Sequence, residues 1–170
     1  MQIHKIAFGG GCHWCTEAVF QSLRGVTKVE QGWVGSSGSH RELSEAVIVH
    51  FDTIKISLST LISIHLHTHS STSSHQLRKK YRSAVYVFDN EQSDLSKQII
   101  IALQKDFDKS IITEVLPYVS FKTNKAKFLS YYYTNPKRQF CQRYINPKLQ
   151  LLIENYSEHI DAKKLRFNKS

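Results

Sequence analysis

The sequence predicts an α+β fold, a mixed sheet with helices on one face. Two observations carry the prediction. Short apolar runs of period two alternate with stretches of helical spacing, in the order β-α-β-β-α-β-α-β-α. Strand neighbours are mixed with crossovers, so hairpin-type and helix-linked strands belong to one sheet. The 170 residues suit one domain spanning 1–170, with its core over about 3–152 and a tail over 153–170.

Each element has a local reason. Ile3 to Phe8 reads as a strand because Gly9, Gly10 and Gly11 break it. Thr16 to Leu23 reads as a helix ended by Gly25, and Val26 to Trp33 as a strand before the turn Gly35-Ser36-Ser37-Gly38. Glu45 to Phe51 is a second long strand, with Glu45, Val47, Val49 and Phe51 on one face. Leu58 to His67 has helical spacing, and His65 to Lys80 is rich in His, Ser and Thr and reads as a long loop. Tyr81 to Phe88 alternates as a strand with Tyr81, Ser83, Val85 and Val87 in one row. Asp89 or Asn90 caps a helix running to about Phe107. Ile111 to Leu116 is a strand stopped by Pro117, and Lys125 to Tyr133 is a helix before Asn135-Pro136. Beyond it the chain is expected to be a long C-terminal coil with one helical piece, Leu149 to Tyr156.

Composition narrows the function classes. Lys and Arg number 23 against 14 acids, a net charge of +9, which permits a polyanionic partner without identifying one. No apolar run is long enough to span a bilayer, and the start lacks the apolar stretch of a secretory signal, so a cytoplasmic protein with no membrane partner is expected. Three unevenly spaced cysteines, Cys12, Cys15 and Cys141, argue against a disulfide framework and for a working thiol in a reducing compartment.

Phe8-Gly9-Gly10-Gly11-Cys12-His13-Trp14-Cys15 is the most informative segment. It places Cys12 where a glycine turn enters a helix, so backbone N–H groups and the positive end of the helix stabilise a thiolate there. Cys12 is then either a nucleophile or a small buried residue, and the spacing alone leaves both open. Cys15 completes a Cys-x-x-Cys spacing, yet it also lies on the apolar stripe Cys15, Ala18, Val19, Leu23. Nothing completes a zinc tetrahedron, and His65 and His69, one helical turn apart, have no carboxylate or thiol close by in sequence; no metal site is expected.

Gly10-Gly11-Cys12-His13-Trp14-Cys15 resembles the Gly-Cys-Phe-Trp signature of peptide methionine sulfoxide reductase A. Gly32-Trp33-Val34-Gly35, Glu45-Ala46-Val47, Tyr81-Arg82-Ser83-Ala84, Thr113-Glu114-Val115, Asn135-Pro136, Phe140-Cys141 and Asn146-Pro147-Lys148-Leu149 resemble further family motifs in the same order. The resemblance implies a two-layer α/β plait with a ferredoxin-like core. It implies reduction of methionine S-sulfoxide, peptide-bound or free, by a nucleophilic Cys12 that becomes a sulfenic acid and then a disulfide. Glu45 would supply the proton and Tyr81 would hydrogen-bond the sulfoxide oxygen. Cys141 would be the resolving thiol, in a segment expected to be mobile and accessible, with Cys15 as the alternative. His13, Trp14 and Trp33 would line the substrate pocket. The reductant would be thioredoxin or another dithiol, with no cofactor, and the protein would act as a monomer.

The chain departs from the family at the pocket rim. His13 replaces Phe, Trp33 replaces Tyr, Gln76 stands at an Asp, and Phe128-Leu129 replaces His-Gln. Two other readings remain. One is a redox sensor. The other, less favoured, is a basic RNA-binding module built on Arg78-Lys79-Lys80, Tyr131-Tyr132-Tyr133, Lys137-Arg138 and Lys163-Lys164-Leu165-Arg166.

Overall fold

A computed structural model describes residues 1–165. Its strands are β1 (Ile3–Gly9), β2 (Val26–Gly35), β3 (Ser44–Asp52), β4 (Ala84–Val87), β5 (Glu114–Pro117) and β6 (Ser120–Thr123). Its α-helices are α1 (His13–Gln21), α2 (Leu58–Thr68), α3 (Asn90–Leu103), α4 (Tyr131–Thr134) and α5 (Asn146–Asn155). One sheet runs β5-β4-β1-β3-β2-β6. The inner four strands, β4-β1-β3-β2, pair antiparallel throughout, with α1 linking β1 to β2 and α2 linking β3 to β4. This is the expected plait of two interleaved βαβ units. β5 extends one edge parallel to β4, and β6 extends the other antiparallel to β2.

Alternation decides which side chains meet the helices. Ile6 and Phe8 of β1, Val47, Val49 and Phe51 of β3, and Val85 and Val87 of β4 form the main core with α1, α2 and α5. Phe8 stacks on Phe20 of α1 with ring centroids 4.7 Å apart. The opposite face buries a smaller set, Ala7, Val34, Ala46, Ile48, Ala84 and Tyr86, under Leu116, Tyr118 and Phe121.

Several boundaries differ from the sequence reading. β4 begins at Ala84, so Tyr81 lies in the preceding turn and does not head the strand. β5 begins at Glu114, and α3 stops at Leu103. β6 was not expected; four residues of mixed polarity give no period to read, and their pairing with β2 makes them a strand. The helix expected over Lys125 to Tyr133 is two pieces, a 3₁₀ turn Ala126–Phe128 and α4. Between them Ser130 takes a left-handed φ of 49°. The buried Glu17 carboxylate fixes that break by accepting the N–H groups of Ser130 and Tyr131, each at 3.0 Å. Within the expected C-terminal coil, a π-helical turn Cys141–Ile145 runs directly into α5. The segment after 152 is docked: Ile160 bridges Leu23, and the Asp161 N–H donates to the Ser22 carbonyl at 2.9 Å. Arg166 of the last basic cluster and the end of the expected tail lie outside the described residues.

Candidate active site

β1 delivers the chain to Gly9-Gly10-Gly11, and α1 begins immediately after, with Cys12 as its N-cap. The turn is tight. Gly10 sits at φ +157°, and a side chain there would meet the His69 ring. The Cys12 carbonyl accepts the N–H groups of Cys15 and Thr16 at 3.1 and 3.2 Å, which aims the first turn of the helix at the thiol. Cys12 is half-buried, and its thiol pKa is lowered. A hydrogen bond from the Cys15 thiol is the largest cause; burial and Glu45 oppose it, while the Trp14 and Cys15 backbone groups add to it. Cys15 is pushed up correspondingly, because its proton is held by Cys12 and its site is dry.

Glu45 stands where the apolar row of β3 reaches the sheet end, 6% exposed, opposite Trp33 of β2. His13 lies against it. The His13 Nδ1 is 2.7 Å from the Gly32 carbonyl, which can only accept, so the neutral ring carries its proton there. The Nε2 lone pair then faces Glu45 Oε1 at 3.2 Å and the Asn124 amide at 3.4 Å. At that distance the two side chains are within hydrogen-bond reach, so the charge state of each bears on the other. Burial, the largest influence on His13, lowers its pKa, and Lys80 lowers it further, against the Gly32 and Glu45 contacts. The neutral ring is favoured.

Cys12, His13, Glu45 and Tyr81 open into one pocket of about 520 Å³. Its apolar walls are Trp14, Trp33, Phe128 and Phe140. Trp14 is braced by a stack on Tyr131 at 4.0 Å and by the edge of Phe140 at 5.4 Å. Trp33 meets His13 edge-on at 5.1 Å. Tyr81 enters from the turn before β4, its N–H on the Leu77 carbonyl at 2.9 Å, with the Lys80 ammonium 5.0 Å from its ring and 3.7 Å from Glu45 Oε2.

Cys141 is not the accessible thiol the sequence suggested. It is fully buried in the main core, its thiol donating to the Asn135 carbonyl at 3.6 Å, and burial raises its pKa. The proline-flanked, polar stretch around it is amphipathic and winds into the π-helical turn. Behind Cys12 a small void is bordered by Cys15, His65, His69 and Lys148. Lys148, from the Pro-Lys-Leu segment, buries its ammonium on the Thr68 carbonyl. His65 Nε2 bonds the Gly9 carbonyl at 2.8 Å, and His69 Nε2 bonds Ser83 at 2.8 Å. Among the described residues no three His, Cys, Asp or Glu side chains are grouped to hold a metal.

Sequence reasoning missed Asn124, Gln31, Lys122, Lys125 and Phe140. The first two form a buried pair, with Asn124 Nδ2 on Gln31 Oε1 at 2.6 Å. Gln31 supports Asn124 from β2, while Lys122, Asn124 and Lys125 come from β6 and the residues after it and Phe140 from the C-terminal segment, elements whose sequence carried little period. The clusters suggested for RNA are partly used inside the protein. Arg78 bonds the carbonyls of Gly10 and Tyr81 at 2.9 and 3.0 Å, and Arg138 sits 4.3 Å over Tyr131.

Known proteins resemble this chain in sequence and in fold. The family model described as peptide methionine sulfoxide reductase matches residues 4–161. The peptide methionine sulfoxide reductase MsrA of Acinetobacter baumannii (strain SDF) is 34% identical over 168 residues, covering 91% of this chain and 96% of the relative. That of Trichodesmium erythraeum is 33% identical over 94% of this chain and 99% of its own length. The fold matches Mxr1 from Saccharomyces cerevisiae in reduced form with a TM-score of 0.72 at 19% identity, over 82% of this chain and 90% of that one. Mxr1 in complex with Trx2 matches with a TM-score of 0.61 at 17% identity, over 76% and 85%. With its sequence matched along nearly the whole length and its thiol, acid and phenol opening into one pocket, this chain belongs to the peptide methionine sulfoxide reductase family.

Proposed function

We propose that the protein reduces methionine S-sulfoxide, peptide-bound or free, to methionine. The observation that carries this reading is the convergence of a Cys12 thiol of lowered pKa, a buried Glu45–His13 pair 3.2 Å apart and Tyr81 on one aromatic pocket. The Cys12 sulfur attacks the sulfoxide sulfur. Glu45 gives its proton to the oxygen, and Tyr81 hydrogen-bonds that oxygen as its charge develops. The sulfur–oxygen bond of the substrate breaks, oxygen passes to Cys12 as a sulfenic acid, and methionine leaves. Cys12 loses the two electrons that the substrate gains. The aromatic walls take the methylthio group, a contact that favours sulfur.

A second thiol then displaces water from the sulfenic acid and forms a disulfide. The hydrogen bond from Cys15 to Cys12 favours Cys15. Once the Cys12 negative charge is gone, the largest cause that holds the Cys15 proton is gone with it, and burial remains as the main opposing one. The resemblance supports Cys141 as the second reading, and that thiol must leave the core to react. A dithiol such as thioredoxin returns two electrons and two protons; no organic cofactor or metal enters the cycle. The protein works as a cytoplasmic monomer. Among the described residues no helix is long and apolar enough to cross a membrane.

The test is a single turnover. Reduced protein mixed with methionine S-sulfoxide, without added reductant, yields stoichiometric methionine and loses the mass of two hydrogens. Cys12→Ser yields neither. Absence of methionine from the wild type would defeat the proposal.

A further inference from the structure

Three lysines at or beside the pocket mouth, Lys122, Lys125 and Lys127, take no part in the chemistry above and are not balanced by acids. Lys122 is the β6 partner of Trp33, which on its other side pairs with Glu45. That register places the Lys122 ammonium 5.9 Å from the Trp33 ring, at the rim of the pocket. Lys125 follows β6, lines the same rim, and has its backbone N–H fixed on the Asn124 side chain at 2.8 Å. Lys127 lies 5.0 Å over Phe128, one of the apolar walls. Lys80 also lines the pocket, with its ammonium held on Glu45. Among the described residues Lys122, Lys125 and Lys127 form no ion pair, and Glu45 is the one carboxylate among the lining residues. Glu45 is buried and already flanked by His13 and Lys80.

We infer that this rim selects methionine sulfoxide lying within an acidic peptide segment, with Asp or Glu next to the oxidised residue. The inference rests on the reductase reading and adds the class of substrate. An apolar floor under an uncompensated positive mouth focuses the field outward. A peptide that seats its sulfoxide side chain among Trp14, Trp33 and Phe128 must cross that mouth with its backbone. Successive residues of an extended peptide are spaced by roughly 3.3 Å, so the flanking side chains fall within reach of the lysine ammonium groups. Carboxylates there gain ion pairs. Lysines there meet like charge.

The test uses three capped peptides of equal length, with a central methionine S-sulfoxide flanked by Glu, Gln or Lys, and dithiothreitol as reductant. At low ionic strength kcat/KM falls in the order Glu, Gln, Lys, with about a tenfold span carried by KM. Raising the salt to about 0.5 M collapses the span. In Lys122→Glu/Lys125→Glu the ratio between the Glu and Lys peptides inverts. That ratio is taken within one preparation, so any loss of folded protein cancels. Equal kcat/KM for the three peptides, or an order unchanged in the double variant, would overturn the inference. Turnover of the Gln peptide with no charge preference would leave the reductase reading intact, and failure to turn over any peptide would sink both.

Discussion

His13 Nε2 lies 3.2 Å from Glu45 Oε1, with both side chains buried in the pocket wall. His13 was recognisable in the sequence as a departure from an aromatic wall. Its use as the partner of the acid depends on the Gly32 carbonyl, which fixes the tautomer.

His13→Phe keeps the ring bulk and removes both nitrogens. The expected outcome is a kcat lower by about tenfold with KM little changed, because the acid loses the group that orients it. Glu45→Gln should cost more, on the order of 100-fold or above, since it removes the proton itself. Steady-state kinetics on a neutral blocked substrate checks both. A His13→Phe enzyme with unchanged kcat and a raised KM would show that His13 acts as a wall.

Cys15→Ala removes the hydrogen bond that most lowers the Cys12 pKa. The inflection in the rate of Cys12 alkylation against pH should move upward, and at pH 7 the rate should fall several-fold. Mass spectrometry of iodoacetamide-treated protein, followed in time, reads the rate. An unmoved inflection would assign the lowered pKa to the helix end alone.

Sulfoxide treatment of Cys141→Ser and Cys15→Ser separates the two resolving routes. The reading favoured by contact predicts that Cys141→Ser still loses two hydrogens in a single turnover, and that peptide mapping finds Cys12 joined to Cys15. Persistence of a trappable sulfenic acid in Cys141→Ser would make the buried thiol the resolving one.

Stability should fall as pH drops from 7.5 to 5. Burial lowers the pKa of His13, His65 and His69, the last to about 4, and Arg78 and Lys148 add to the effect on His65 and His69. An unfolded His titrates near 6.5, so below that pH the unfolded chain binds protons that the folded chain refuses. Stability is therefore full above about pH 6.5 and lost as pH falls toward the folded values. His69 alone contributes on the order of 2 kcal/mol of this loss by pH 5. Glu17, raised by burial, pulls the other way, but it is one group against three. Urea midpoints at the two pH values measure the difference, and equal midpoints would contradict it.

Gly10→Ala and Gly11→Ala should behave differently although they are adjacent. A Cβ on Gly10 meets the His69 ring at a φ of +157°, whereas one on Gly11 meets nothing within 4 Å. Gly10→Ala is expected to cost roughly 2 kcal/mol or more and Gly11→Ala less than about 1. Thermal unfolding of the two variants decides it.

The sequence by itself determined the central plait and the place of Cys12 in it. β1, β2 and β3 carry long alternating or apolar runs, and the glycine turn before α1 is a local feature, so the position of Cys12 and the face of Glu45 follow from short-range pattern. The motif order carried the family. Tertiary structure decided what local pattern cannot encode. Tyr81 reaches the pocket from a turn because the chain is held at Leu77 and Gly10 before β4 begins. Cys141 is buried because its segment winds into a helix that docks on α1 and α2, and the polarity of its neighbours describes the outer side of that helix. Asn124, Lys122 and Phe140 reach the pocket from over a hundred residues away along the chain. Their placement depends on strand pairing and core packing, which are free-energy gains realised when distant segments meet and which leave no periodic trace in the segments themselves.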